Sequence, residues 1–194
     1  MSFVICAYYI GKHYEVCAKY LKADCEKFGY EYDIVAPDVT EFAKKKILGV
    51  NLWRWYCRYK PRFVIEMLEK HNKPILILDV DGRIRSEFDL NMFDGYKIGL
   101  CRHDGEFFIS NVVVSCIAFR PDPVVMDFLK LWEYKCMMVE EDESDHLFFK
   151  TTLLDFFSHR RINIGYLDRD SVFASKRDIV EPKILINARK YRRR

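Results

Sequence analysis

Asp79 and Asp81 stand one residue apart in the stretch ILILDVDGRIR, residues 75 to 85, where an apolar run leads into two aspartates and closes on Gly82. Carboxylates at the carboxyl end of a buried strand lie where open α/β sheets bind ligands, in the crevice beyond the strand ends. In an extended segment side chains alternate, so both aspartates are expected on the same side. Two close carboxylates repel each other unless a cation lies between them. A hard divalent ion, Mn²⁺ or Mg²⁺, takes such oxygens and completes its shell with water and phosphate oxygens. The stretch therefore predicts a metal and diphosphate site. An acidic turn is the plainer alternative, because Asp and Gly are ordinary turn residues; the apolar strand before the pair and the glycine after it favour the site.

The elements that would carry this pair can be read on both sides of it. FVICAYY (3 to 9) is a short apolar strand, and Tyr14, Cys17, Ala18, Leu21 and Cys25 follow at helical spacing. EYDIVAP (31 to 37) is a second strand closed by a proline, which makes a βαβ opening. A helix is expected from about Lys60, with Pro61 in its first turn and Phe63, Val64, Met67 and Leu68 on one apolar face. ILILD then reads as a strand buried on both sides. Beyond the aspartates, 96 to 101 and 111 to 119 read as strands and 122 to 138 as a helix with Asp122 as its cap. A further helix is expected over 144 to 157 and a last strand over 162 to 167. Helices alternate with apolar strands, so the class is α/β with a mostly parallel, mixed central sheet flanked by helices.

Composition narrows the setting. The 194 residues, 50% hydrophobic and 15% aromatic, suit one domain over 1–194 with an ample core. The net charge of +3 is small and the basic residues are spread out, apart from the tail at 188–194, so nucleic acid is not an expected partner. That tail reads as a solvated terminus or as a linker to further domains. Seven cysteines without CxxC spacing point to buried thiols in a reducing compartment and to no structural zinc. The apolar run near the start is too short to span a membrane and has no cationic leader before it. A cytoplasmic protein is the expectation.

The aspartate pair resembles the DxD motif of GT-A glycosyltransferases, in which a metal bridges the two phosphates of a nucleotide-sugar. It also resembles the DxDG opening of haloacid-dehalogenase-type phosphatases, which would make Asp79 a nucleophile. In those phosphatases the motif ends the first core strand, whereas 78 residues precede Asp79 here and Arg83 replaces the expected threonine or valine. RYKPRFVIEMLEKHNKPILILDVD is similar to the helix-strand-DxD stretch of the glycosyltransferases. The resemblance implies a GT-A (nucleotide-diphospho-sugar transferase) fold, with Lys60, neighboured by Arg58 and Arg62, facing the donor diphosphate. FISNVVVSCIAFRPDP resembles the family's strand that starts on a sugar-contacting asparagine or serine, which implies Asn111. EEDESDHLFF resembles its later acidic stretch, with Asp145 on the acceptor side and His146 in place of a glutamine. Asp145 would be the base that deprotonates the acceptor hydroxyl or a group that steadies the sugar cation; an acidic helix start is the simpler alternative.

Further implications of the resemblance are less local. The nucleotide base would lie at the end of the first strand, against Tyr8 or Tyr9, with Asp33 accepting a hydrogen bond from base or ribose. His103, His159 and Asp168 are candidates for a third metal ligand. Over residues 3 to 167 the chain is similar to the amino-terminal glycosyltransferase domains of chlorella-virus proteins that glycosylate the capsid. The partners implied are a nucleotide-sugar donor, UDP-linked, and a glycan or glycoprotein acceptor. The reaction implied is transfer of a hexosyl or deoxyhexosyl unit in the host cytosol.

Overall fold

A computed structural model describes residues 2–88, 95–102, 112–140, 142–159, 162–166, 172–173 and 184–185. In chain order the first half is β1 (Val4–Tyr8), α1 (Lys12–Phe28), β2 (Glu31–Val35), α2 (Thr40–Lys44), α3 (Leu52–Cys57), α4 (Lys60–His71) and β3 (Ile75–Leu78). There follow β4 (Arg83–Ile84), β5 (Ile98–Arg102), β6 (Val112–Phe119), α5 (Pro123–Met138), α6 (Asp145–His159), β7 (Ile164–Tyr166), β8 (Val172–Phe173) and β9 (Ile184–Leu185).

Among the described residues six strands form one sheet in the order β2-β1-β3-β6-β5-β7. β1 runs parallel to β2 and β3, and β5 runs parallel to β7. β6 lies antiparallel between β3 and β5. The sheet is therefore mostly parallel and mixed, as the sequence predicts. β4, β9 and β8 make a small second sheet that the apolar pattern does not reveal.

The alternation in the strands sorts the core to two faces. Val4 and Cys6 of β1 and Ile75 and Ile77 of β3 pack with Phe63, Val64, Met67 and Leu68 of α4 and with Val125, Phe128, Leu129 and Trp132 of α5. Ile5, Ala7, Leu76 and Leu78 face the other way, against Cys17, Ala18, Leu21 and Cys25 of α1. Both faces of β1 and β3 are covered, which is why these strands read as continuous apolar runs.

Local signals set the ends that matter for the site. Gly11, at φ 86, turns the chain from β1 into α1. α4 starts at Lys60 with Pro61 in its first turn, where the missing N–H leaves no hydrogen bond unmade. Asp122 caps α5, its side chain accepting from the Val124 N–H at 2.8 Å. All seven cysteines are free thiols, and only Cys57 is not fully buried. No helix among the described residues is long and apolar enough to cross a membrane. Asn111, His103, Asp168 and the basic tail at 188–194 lie outside the described residues, as does the side chain of His159.

Candidate functional site

β3 ends at Leu78, and the chain then turns: the Gly82 N–H donates to the Asp79 carbonyl at 2.8 Å. This corrects the extended geometry expected for Asp79 and Asp81, because an i to i+3 bond closes a β-turn and the period of two does not hold inside it. Asp79 still keeps its ladder partner, its N–H donating to the Ser115 carbonyl of β6 at 2.9 Å. Its side chain falls on the α4 side, whereas Val80 is buried among the residues that meet α1. Asp81 follows in the turn, half-buried.

The turn is fastened from behind. Arg83, one residue past Gly82, holds Asp24 of α1 bidentately, with Nε to Oδ2 at 2.5 Å and Nη2 to Oδ1 at 2.8 Å. Asp24 Oδ2 also accepts from the Ile84 N–H at 3.0 Å. The residue that departs from the phosphatase pattern is thus the one that anchors the aspartate turn to α1.

Lys60, at the amino end of α4, is the centre of the site. Its Nζ lies 2.8 Å from Asp79 Oδ1 and 3.2 Å from Asp145 Oδ2, and it donates to the Val114 carbonyl at 3.2 Å. Lys60 is only 5% exposed and Asp145 only 2%. Burial works against the ammonium, but Asp145 and then Asp79 overcome it and hold the Lys60 pKa well above that of a free lysine. Burial likewise opposes the Asp79 carboxylate; Lys60, through charge and hydrogen bond, then Ser115 and His146, bring it below the usual carboxylate range. Asp79 is ionised, oriented and 32% open to solvent. His146 has its pKa lowered, by burial first and with Lys60 adding to it, while Asp145 pulls the other way.

Tyr8 belongs to the same centre. Its hydroxyl is within 3.2 Å of the Tyr56 carbonyl and 3.4 Å of the Cys57 carbonyl, and its ring packs against Tyr59 and Phe63. Burial foremost keeps its phenol protonated, its pKa well above the ordinary tyrosine value.

Other predicted positions are placed elsewhere. Tyr9 faces the α1 side, opposite Tyr8. Asp33 is engaged by Lys70 Nζ at 2.6 Å and His71 Nε2 at 2.9 Å. Asp33 lies on the edge strand β2, level with Cys6 of β1 and Ile77 of β3, and serves there as an ion-pair partner for the carboxyl end of α4. Arg62 pairs with Glu133 of α5 at 2.7 Å. Arg58 is fully buried, and three main-chain carbonyls surround its guanidinium. Neither arginine faces the aspartate turn in the way a diphosphate contact requires.

Chemically, the rim of β3 offers hard anionic oxygens from Asp79 and Asp81, backed by one buried ammonium. That donor set suits Mn²⁺ or Mg²⁺ with water and phosphate oxygens as remaining ligands. Among the described residues no three His, Cys, Asp or Glu side chains gather as a complete metal-binding group. Sequence reading missed Ser115, hidden within an apolar strand, and the Asp24 anchor, 55 residues before Asp79, which carries no local signal.

No protein-family model matches the sequence, and no curated protein matches it. The structure is similar to a solved one described as a glycosyltransferase involved in the glycosylation of the major capsid of PBCV-1. The TM-score is 0.69 and the sequence identity 11%, and the likeness covers 96% of this chain and 93% of that one. At that identity the likeness is one of fold, and the chain has a glycosyltransferase-like α/β fold.

Proposed function

We propose that the protein is a metal-dependent glycosyltransferase of GT-A type that moves a hexosyl or deoxyhexosyl unit from a UDP-sugar to a glycan hydroxyl. The capsid glycosylation ascribed to the PBCV-1 neighbour makes a glycan on a viral capsid protein a candidate acceptor. The observation that carries the proposal is the convergence on Lys60 Nζ of Asp79, from the end of β3, and Asp145, from the start of α6.

Each residue has a distinct task in this scheme. Asp79 and Asp81, at the carboxyl end of β3, would hold Mn²⁺ or Mg²⁺. When bound, the cation supplies Lewis-acid stabilisation of the leaving group. Lys60 keeps Asp79 ionised and places a fixed positive charge behind the departing diphosphate. Asp145, at 2% exposure, is too enclosed to take a proton from an incoming acceptor; it orients Lys60 and offsets its charge. Tyr8, beside Lys60 at the end of β1, closes the donor side, and Asn111 is the residue we assign to the donor sugar.

Calorimetry of UDP binding with and without Mn²⁺, on the protein and on Asp81→Asn, tests this directly. Mn²⁺-dependent binding in the parent and at least tenfold weaker binding in the variant is the expected pair of results. Metal-stimulated UDP binding that survives Asp81→Asn would overturn the assignment. Trapping by beryllium fluoride with hydrolysis of simple phosphate esters, lost in Asp79→Asn, would instead favour a phosphatase.

A further inference from the structure

Asn51, Arg54 and Arg58 are spaced by three and four residues, so they share one face along α3. That face clasps the connection between α5 and α6. The Asn51 N–H donates to Asp142 Oδ1 at 2.8 Å, and Arg54 Nη1 pairs with Asp142 Oδ2 at 3.2 Å. Arg58 reaches deeper: Nε donates to the Glu143 carbonyl at 3.1 Å, and Nη1 donates to the Cys136 carbonyl at 3.0 Å and the Val139 carbonyl at 2.7 Å. Its guanidinium also lies 4.6 Å from the ring centre of Phe148, in the first turn of α6, and 5.8 Å from that of Trp55.

A fully buried arginine needs its charge answered. The last carbonyls of α5 lack helical partners and carry the negative end of the helix dipole, so a cation is stabilised there. The fork of the guanidinium lets one side chain gather carbonyls from residues 136, 139 and 143, which a lysine ammonium cannot span. The consequence lies two residues beyond Glu143. Asp145 has its carbonyl held by Trp132 Nε1 at 3.1 Å, and its Oδ2, which accepts no hydrogen bond among the described residues, has Lys60 at 3.2 Å as its ion-pair partner. Arg58 and Lys60 are themselves two residues apart, so one short segment grips the start of α6 by its main chain and by its side chain.

We propose that Arg58 is the positioning residue of the candidate site: by fixing the α5–α6 connection it sets the Asp145 carboxylate against Lys60 and so aims the ammonium. The functional half of this inference rests on the glycosyltransferase reading; the structural half does not. Arg58→Lys keeps the charge and loses the fork. In a variant shown by circular dichroism to be folded, Mn²⁺–UDP affinity is expected to fall at least threefold and kcat for sugar transfer at least tenfold, because the Lys60 that loses its aim both backs Asp79 and faces the diphosphate. A folded Arg58→Lys protein with parental kcat overturns the proposal. The ¹⁵Nζ resonance of Lys60 supplies the second measurement, independent of any donor. It is expected to shift and to broaden through faster exchange in Arg58→Lys, and an unchanged resonance overturns the positioning role. If the parent neither binds UDP nor transfers sugar, the glycosyltransferase reading fails and the resonance alone decides Arg58.

Discussion

Replacing Lys60 with methionine keeps most of the side chain's length, losing only the terminal ammonium, and so removes the charge that two carboxylates share. Asp145, 2% exposed, would lose the ammonium 3.2 Å from its Oδ2, and Asp79 would lose its 2.8 Å partner. Breaking a buried ion pair from one side costs about 3–5 kcal/mol, because the remaining charge stays buried without compensation. For a chain of this size each kcal/mol lowers Tm by about 2–4 °C, so a drop of roughly 6–20 °C is expected at pH 7. The pH dependence has a defined sign. In the parent, the Asp79 pKa is held below its unfolded value, so that contribution is present above about pH 4 and is lost as pH falls through the folded pKa. Without Lys60, burial acts on Asp79 against only Ser115 and His146, so its pKa rises relative to the parent and the variant loses less stability in acid. The Tm gap between parent and Lys60→Met should therefore be widest near neutrality and should narrow as pH falls toward 4. Adding Asp145→Asn removes the stranded charge and should recover more than half of the loss. A gap that is constant from pH 8 to pH 4.5, or a double variant no better than the single one, would refute a shared buried charge at this position.

Two other perturbations probe what surrounds the centre. Asp24→Asn weakens the bidentate grip of Arg83 and the bond from Ile84 N–H, so denaturant unfolding should show a loss of about 1.5–3 kcal/mol. The Mn²⁺ needed for half-maximal UDP binding should rise with it, since the aspartate turn loses its anchor. Gly165→Ala would place a Cβ 2.5 Å from Tyr96 Cδ2 and 2.6 Å from its Cγ, at the root of the ring where little can give. A loss of about 1–3 kcal/mol is expected, falling sharply when Tyr96→Ala is made first, and equal losses in both backgrounds would refute the contact.

The apolar runs of β1 and β3 and the helix starts at Lys60 and Asp122 could be read from the chain because their causes are local: alternation, a proline in a first turn, a capping carboxylate. The same holds for Asp79 as a carboxylate at a strand end. What the sequence could not determine was which charges meet. Arg58, Lys60 and Arg62 look equivalent in RYKPR, yet burial at three different depths sends one to backbone carbonyls, one to two aspartates and one to Glu133. Asp33 carries no local mark of its partners, Lys70 and His71, which stand 37 and 38 residues away in sequence. Electrostatic partners are set by distances of a few ångströms between elements far apart in the chain, and desolvation decides their strength. Periodicity therefore determined the layers, and only the packed tertiary structure determined the circuit of charge that joins Asp79, Lys60 and Asp145.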